Sequence, residues 1–192
     1  FAARISASFG RAEFVLRTVS TVSTWSRKRG ANMNTDRSPN RDGVIAAAHS
    51  IAAILPPTPL LPVEIGGVRA HVKAESLQPV GAFKIRGGWW RLSNLSDQEK
   101  ARGVVAVSSG NHAQGVAWAA RKLGIEAAIV MPHNAPRVKL EATRALGAEI
   151  VLYDRPGEDR DEVAAREVEA RGATLVHAFG DPWVIEGQGS AG

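Results

Sequence analysis

The chain after Gly103 alternates short apolar runs with amphipathic segments, and this alternation constrains the fold more than any other feature. The apolar runs predict four strands: Val104–Val107, Ile125–Met131, Glu149–Tyr153 and Thr174–Ala178. The segments between them predict three helices: Ala113–Leu123, Arg137–Leu146 and Asp159–Ala170. Each predicted helix is followed by a glycine, the residue preferred at a helix C-cap: Gly124, Gly147 and Gly172.

Strands that alternate with helices indicate a parallel sheet, because neighbouring parallel strands need a crossover connection between them. Continuously apolar strands are typical of a sheet that is covered on both faces. We therefore predict an α/β fold, with a parallel open sheet and helices on both of its faces. Residues 103–180 are expected to form this small α/β domain.

The residues before this domain predict a different arrangement. Asp42 is a candidate cap for a helix over Gly43–Ile54, which the prolines of residues 56–59 would end. Two short strands follow around the Gly66-Gly67 turn: Val63–Ile65 and Val68–Glu75. A further helix is predicted over Ile85–Asn94, where we expect Trp89 and Trp90 to pack in the core or an interface. Ser96 to Glu99 has the pattern of a capping box.

Two glycines lie inside that last predicted helix, and they weaken it relative to alanine. Gly87 and Gly88 are adjacent in the sequence. Close approach of another backbone at this point would explain why no side chain is present there.

The positive charge is concentrated at the start of the chain. Residues 1–32 contain six basic residues and one acidic residue, whereas the remaining 160 residues contain 18 of each. A basic segment of this size is typically solvated, so we do not expect nucleic acid as a partner. No apolar run is long enough to cross a membrane. The chain has no cysteine, which excludes disulfides and thiolate chemistry.

Residues 1–39 are expected to be a poorly ordered extension. Their first part is rich in Arg and Ser and poor in acids, as organelle transit peptides are. The alternative, which we favour, is upstream sequence translated in frame, because Met33 would serve as a natural start. On that interpretation the protein is cytoplasmic, and on the other it is directed to an organelle.

Lys84 lies between Phe83 and Ile85, directly after a turn at Pro79 and Gly81. Apolar neighbours favour a lowered pKa for a lysine amine, because desolvation disfavours its charged form. A neutral amine is the form that condenses with a carbonyl cofactor. The ordinary alternative is a lysine whose stem is buried while its amine remains in water.

The residues from Ser108 to His112 follow the first strand of the predicted sheet and precede a helix. Ligands of open α/β sheets bind at the carboxyl ends of the strands. The N–H groups of such a turn, together with the positive end of the helix, favour an anion. Serine, glycine and asparagine are also ordinary helix-entry residues, and a histidine in the first helical turn is as often packed as it is a ligand.

Taken together, Ala82-Phe-Lys-Ile-Arg-Gly87 and Ser108-Ser-Gly-Asn-His112 resemble the two N-terminal signatures of the threonine/serine dehydratase family. These are pyridoxal-phosphate enzymes of fold type II, whose signatures read Ser-Phe-Lys-Ile-Arg-Gly and Ser-Ser-Gly-Asn-His. The resemblance extends from about Thr58 to the end of the chain. It implies pyridoxal 5'-phosphate as the cofactor, no metal ligand within this chain, and a small amino acid as substrate.

The resemblance also implies a role for each site residue. Lys84 would bind the cofactor covalently and act as general base, and Phe83 would pack near the ring. Ser109 would stand opposite Lys84 and carry a proton in a racemising enzyme. Asn111 would contact the phenolic oxygen of the cofactor. The carboxylate of the substrate would be bound by the residues of the turn: Ser108, Ser109, Gly110, Asn111 and His112.

The implied reaction is β-elimination, which converts threonine to 2-oxobutanoate and ammonia, or serine to pyruvate and ammonia. A serine racemase or a β-hydroxyaspartate dehydratase on the same scaffold is the first alternative. A non-catalytic domain that binds an anion or a nucleotide is the second. The chain contains neither Gly-x-Gly-x-x-Gly nor a Gly-Lys-Ser/Thr element, which weakens that second alternative.

The sequence departs from the family pattern at two places. Ala82 replaces the serine that commonly precedes Phe-Lys, and the final Gly187-Gln-Gly-Ser190 resembles a family Gly-Gln-Gly-Thr after which the chain stops. In the family, the glycine-rich phosphate loop and the group that meets the pyridine nitrogen follow that point. We expect an N-terminal fragment with little activity of its own, taken from a protein that forms homo-oligomers. Residues 40–102 and 181–192 would belong to an incomplete large domain.

Overall fold

The computed structural model describes residues 37–192, and its N-terminal part combines three helices with a hairpin. Its elements, in chain order, are α1 (Arg41–Ala52), β1 (Leu60–Ile65), β2 (Val68–Lys73), a 3-10 turn (Glu75–Leu77), α2 (Lys84–Ser93) and α3 (Asp97–Arg102). β1 and β2 form an antiparallel pair in which Ile65 lies opposite Val68. The basic segment of residues 1–32 lies outside the described residues, as does most of the predicted extension.

The remaining elements alternate strand and helix, as the sequence predicts. They are β3 (Val104–Val107), α4 (Asn111–Leu123), β4 (Ala127–Pro132), α5 (Arg137–Ala145), β5 (Glu149–Tyr153), α6 (Arg160–Arg171), β6 (Thr174–Leu175) and α7 (Pro182–Gly189). The four strands form one parallel sheet in the order β5-β4-β3-β6. The predicted fold class is therefore confirmed.

Apolar side chains leave both faces of the sheet, because successive residues of a strand point to opposite sides. Val104 and Ala106 of β3 belong to the core beneath α4, whereas Val105 belongs to a second core with residues of α6. All three are at most 1% exposed. Burial on both faces explains why β3 and β4 are apolar throughout.

The last strand is shorter than predicted. β6 ends at Leu175, although the apolar pattern extends to Ala178. The ring nitrogen Nδ1 of His177 accepts hydrogen bonds from the N–H groups of Phe179 and Gly180, at 3.4 and 2.9 Å. These bonds fold residues 177–180 into a turn and remove them from the sheet.

The start of α1 also differs from the prediction. Asn40, not Asp42, is the N-cap: its backbone is extended, and its side-chain oxygen accepts the N–H of Gly43 at 2.9 Å. Asp42 lies in the first helical turn, where a carboxylate favours the positive end of the helix. By contrast, the capping box of α3 is present as predicted, with both Ser96 and Glu99 contributing.

Helix α7 is missing from the sequence prediction. Asp181 caps it by accepting the N–H groups of Trp183 and Val184, and Pro182 occupies its first turn. Both features are start signals for a helix. The helix packs on α1 and α2, so the end of the described chain returns to the N-terminal region.

The tryptophans of α2 pack against other aromatic rings, as expected for a core or an interface. Trp89 meets Trp118 edge-on, and Trp90 meets Trp183, at centroid distances of 6.1 and 5.7 Å. The indole of Trp89 donates to Ser50, so its polar atom is satisfied.

Within residues 37–192, every helix is too short or too polar to cross a bilayer.

Candidate active site

Lys84 is the first residue of α2, and its amine turns toward the sheet. Its Nζ donates a hydrogen bond to the carbonyl oxygen of Ala178 at 3.1 Å, just past the carboxyl end of β6. The side chain is half-buried, and burial lowers the pKa of the Lys84 amine below its ordinary value. The amine therefore loses its proton more readily than an exposed lysine amine does.

A contact between two glycines holds α2 against α4. A Cβ atom added to Gly88 would lie 2.6 Å from the carbonyl oxygen of Gly115, and one added to Gly115 would lie 2.7 Å from the carbonyl oxygen of Lys84. The two helix backbones therefore touch without side chains between them, as the glycines of α2 suggested in the sequence. Because Gly115 is one helical turn after Asn111, the contact places Lys84 beside the first turns of α4.

The turn before α4 leaves the N–H groups of Asn111 and His112 open to a ligand. The hydroxyl oxygen of Ser108 accepts the N–H of Gly110 at 3.1 Å, which closes the bend on itself. Within the described part of the chain, no side chain caps the N-terminus of α4. The unpaired N–H groups and the helix dipole together favour an anion at this point.

His112 faces inward, and it is buried. The ring is 3% exposed, and Nε2 lies 3.0 Å from the carbonyl oxygen of Val176. A carbonyl only accepts hydrogen bonds, so Nε2 carries the proton and Nδ1 is the unprotonated nitrogen. Burial, together with the nearby positive charge of Lys84, lowers the pKa of His112 to about 4. His112 is thus a neutral, packed residue that ties α4 to the end of β6.

The segment from Val176 to Ala178 brings the two predicted halves of the site together. Val176 accepts from His112 and Ala178 accepts from Lys84, so the amine and the bend lie at the same edge of the sheet. Ser109 is half-buried within this bend. The ring of Phe83 is centred 5.2 Å from the Lys84 nitrogen.

Asn111 turns its side chain toward a residue that the sequence does not single out. Its Oδ1 accepts a hydrogen bond from the amine of Lys139 on α5 at 2.6 Å. The same amine contacts Oε1 of Gln114 at 3.2 Å. The sequence does not predict the contact of Lys139 with Asn111. It also does not predict the two backbone carbonyls that accept hydrogen bonds from Lys84 and His112. Each of these contacts joins residues that are far apart in the chain.

Cavity size does not identify this site. A cavity of about 620 Å³ lies at the opposite edge of the sheet, where the strands begin, whereas the cavity beside Ala178 has only about 40 Å³; the larger one is lined by residues such as Gly103, Glu126 and Arg171. Within residues 37–192, no group of three or more histidines or carboxylates is placed to bind a metal ion.

The described residues fit one end of pyridoxal phosphate. A half-buried amine with a lowered pKa suits its aldehyde, and the open N–H groups suit a carboxylate nearby. The described part of the chain offers no loop for its phosphate group. Gly87 and Gly88 are inside a helix and pack against α7 and α4, so they do not form such a loop.

Comparison with known proteins agrees with this chemistry. The family described as "Pyridoxal-phosphate dependent enzyme" matches residues 51–192. The L-threonine ammonia-lyase of Thermotoga maritima is 50% identical over 129 residues, which are 67% of this chain and 32% of that protein. The L-threo-3-hydroxyaspartate ammonia-lyase of a Pseudomonas species is 47% identical over 125 residues, 65% of this chain and 39% of that protein.

The fold is also similar to solved structures. The structure of maize serine racemase superposes with a TM-score of 0.75 and 37% identity, covering 81% of this chain and 48% of that one. The chain therefore spans about a third to a half of the length of these relatives. They carry out at least three different reactions by name, so similarity alone does not distinguish among those reactions.

Proposed function

This chain belongs to the family of pyridoxal-phosphate dependent enzymes of fold type II, and on that premise we propose that the complete protein deaminates a hydroxy amino acid by β-elimination. Threonine would yield 2-oxobutanoate and ammonia, and serine would yield pyruvate and ammonia. The observation that carries this proposal is the half-buried Lys84 amine, with its lowered pKa, at the sheet edge that also holds the Ser108–His112 bend.

Lys84 has two roles in the proposal: it binds the aldehyde of the cofactor, and its freed amine accepts the proton from Cα of the substrate. Pyridoxal phosphate, when bound, stabilises the negative charge that forms at Cα. A lowered pKa helps both roles, because both need the neutral amine. The carbonyl of Ala178 is within hydrogen-bonding distance and holds the amine on the side of the bend.

The bend positions the substrate. N–H groups of Asn111 and His112 would hold the α-carboxylate, in the manner of other anion sites at helix N-termini, because the N–H of Gly110 is already bonded to the Ser108 hydroxyl. His112 contributes through its backbone and through its bond to Val176, which fixes the direction in which α4 begins. The side-chain N–H of Asn111 would donate to the phenolic oxygen of the cofactor, and Phe83 would pack near its ring.

The test is an assay of the complete gene product with L-threonine, L-serine and L-threo-3-hydroxyaspartate, in which 2-oxo acid and ammonia are both measured. Borohydride reduction should fix the cofactor on the peptide that contains Lys84. The variant Lys84→Ala should lose the absorbance band of the bound cofactor and at least 1,000-fold of the activity, about 4 kcal/mol at 1.36 kcal/mol per tenfold change. Lys122→Ala, at the exposed end of α4, is the matched control and should retain both. Unchanged cofactor binding in Lys84→Ala would contradict the assignment.

A serine racemase is the second candidate, and the similarity to the maize enzyme favours it. Racemisation needs a proton carrier on the face of the substrate opposite Lys84, and Ser109 is the half-buried residue proposed for that role. Formation of D-serine by the complete protein, lost in Ser109→Ala while pyruvate formation continues, would establish this activity. L-threo-3-hydroxyaspartate as the best substrate would identify the dehydratase alternative.

We further propose the domain division that the sequence suggests. Residues 103–180 would form the small domain, and residues 40–102 and 181–192 would belong to the large one. Packing of α7 on α1 and α2, away from the sheet, supports this division. Limited proteolysis of the complete protein should then cut near residues 103 and 180. A homo-oligomeric complete protein is likewise proposed, and its mass in solution tests that proposal.

A further inference from the structure

Lys139 on α5 reaches the first turn of α4 and contacts two side-chain amides there. Its ammonium nitrogen lies 2.6 Å from Oδ1 of Asn111 and 3.2 Å from Oε1 of Gln114. An ammonium group only donates hydrogen bonds, so it has to meet the oxygen of each amide. The contact therefore determines which way the carboxamide of Asn111 is turned.

A carboxamide held by its oxygen presents its N–H group on the other side. Within residues 37–192, the Nδ2 atom of Asn111 has no hydrogen-bond partner, and the side chain is exposed at the mouth of the bend. Without Lys139, the amide could rotate by 180° about its terminal torsion at little cost, because that torsion is broad and roughly two-fold. The rotated amide would present an acceptor in place of a donor.

We propose that Lys139 is a positioning residue that keeps the Asn111 N–H group turned toward the cofactor. The proposal rests on the proposed function, since it assumes that Asn111 donates to an oxygen of bound pyridoxal phosphate. It goes further than that function, because α5 has no proposed contact with substrate or cofactor. A residue of α5 would nevertheless determine that Asn111, at the start of α4, presents its N–H group.

The charge of Lys139 supports the same role. Among residues 37–192, no carboxylate lies within ion-pair distance of its amine, and its two contacts are both neutral amides. Lys139 as a whole residue is half-buried. Its positive charge is therefore not cancelled locally, and it adds to the positive end of α4 near the proposed anion site.

The competing explanation is that Lys139 only ties α5 to α4. A second contact between these helices provides a matched control: Arg121 of α4 donates to the carbonyl oxygen of Ala145, at the end of α5, at 3.3 Å. Arg121→Met removes a similar long basic side chain from the same helix pair, at the end that is remote from the bend.

The experiment compares Lys139→Met, Lys139→Arg and Arg121→Met in the complete protein, loaded with pyridoxal phosphate. The readouts are the thermal midpoint, the dissociation constant of the cofactor and the absorbance maximum of the bound cofactor. Lys139→Met should raise the dissociation constant about tenfold, the usual effect of losing one hydrogen bond to a charged group. It should also shift the absorbance maximum in the same direction as Asn111→Ala does. Lys139→Arg and Arg121→Met should leave both values near those of the wild type.

A double variant separates positioning from packing. If Lys139 acts through Asn111, then Lys139→Met should have no further effect on cofactor binding in an Asn111→Ala background. Additive effects, or an unchanged spectrum in a folded Lys139→Met protein, would overturn the proposal. If Lys139→Met does not fold, Lys139→Gln is judged by the same two criteria. A wild-type protein that binds no cofactor at Lys84 would instead refute the proposed function, which makes the two failures distinguishable.

Discussion

The sheet region, residues 103–178, and the N-terminal region, residues 37–102 together with α7, are stabilised in different ways. In the sheet region, both faces of β3 and β4 bury apolar side chains, and its salt bridges are exposed, as the pair Arg137–Glu141 is. In the N-terminal region, charged side chains are buried in specific pairs, and the β1–β2 hairpin leaves most of its residues exposed.

The buried pairs of the N-terminal region join residues of different structural elements. Glu75 receives a two-pronged bond from Arg86 and another from Thr58, at 2.6 to 2.8 Å. Burial opposes its ionisation, but these bonds outweigh burial and hold the pKa of Glu75 below its ordinary value. Asp181 receives Arg91 at 2.7 Å, yet there burial outweighs the bond and raises the pKa of Asp181.

Glu186 is the third buried carboxylate and is fully excluded from solvent. It contacts Arg37 at 2.8 Å and accepts the indole N–H of Trp90 at 3.2 Å. Charges buried in this way contribute little net stability, but leaving one without its partner is costly. The difference between the regions teaches that apolar burial alone shapes the sheet, whereas α1, α2 and α7 meet through buried apolar side chains together with paired charges. Lys84 lies where the two regions touch.

The largest effect should come from breaking a buried pair. Arg91→Met leaves the carboxylate of Asp181 buried without its partner, and we expect the free energy of unfolding to fall by about 4 kcal/mol. Chemical denaturation measures it. The matched control is Arg137→Met in the exposed pair with Glu141, which should cost less than about 0.5 kcal/mol. Equal losses in the two variants would remove the distinction between the regions.

The next effect depends on pH and concerns His112, which ties α4 to the end of β6. The unfolded histidine titrates near 6.5 and the folded one near 4, so between these pH values the unfolded state binds more protons. Stability is therefore lost as pH falls through this range. At about 1.4 kcal/mol per pH unit, the loss reaches about 3 kcal/mol by pH 4.

Denaturation curves between pH 7 and pH 4 test this expectation. His112→Gln should lack this component of the pH dependence, whereas His49→Gln, at an exposed position of α1, should follow the wild type. A His112→Gln profile that is parallel to that of the wild type would show that the buried ring is not the source.

A smaller effect is expected at the boundary between the two regions. Gly88→Ala puts a methyl group 2.6 Å from the carbonyl oxygen of Gly115. We expect a net loss of about 2 kcal/mol in the free energy of unfolding. Overpacking outweighs the advantage of about 1 kcal/mol that alanine has over glycine in a helix. Cofactor affinity should fall as well, because α2 carries Lys84. Gly157→Ala, where the added atom meets nothing within 4 Å, is the control and should leave both stability and cofactor affinity unchanged.

The smallest effect belongs to a local interaction of the N-terminal region. Ser96→Ala removes the Ser96 hydroxyl, which accepts the N–H of Glu99 and donates to its carboxylate at the start of α3. We expect a loss of about 1 kcal/mol in the free energy of unfolding, with unchanged cofactor affinity. Ser38→Ala, at an exposed position before α1, should change neither value. A loss above about 3 kcal/mol in Ser96→Ala would mean that local contacts rival the buried pairs.

The sequence predicts the sheet region well because its information is local. The strands and helices of residues 103–172 follow from apolar periodicity and glycine caps, and their bounds differ from the prediction by about two residues at most. The prediction fails where a single side chain redirects the backbone. The ring of His177 ends β6 early, and Asn40 begins α1 ahead of Asp42.

The candidate site likewise has some parts that the sequence predicts and others that it does not. Lys84 and the Ser108–His112 bend can be recognised in the sequence because each is a continuous motif. Their juxtaposition at one sheet edge depends on the carbonyls of Val176 and Ala178, which are backbone groups and carry no residue signature. No sequence pattern predicts the contact between Lys139 and Asn111, because these residues lie on different helices and are 28 positions apart in the chain.

The contact between Gly88 and Gly115 limits how the cleft can move. Helices that slide past each other do so through small adjustments of the side chains between them, and here main chain rests directly on main chain. Rotamer changes therefore cannot alter the spacing between the amine-bearing helix and the helix behind the bend. Motion between the two proposed domains would therefore keep this contact as its pivot, with α2 on one side and α4 on the other.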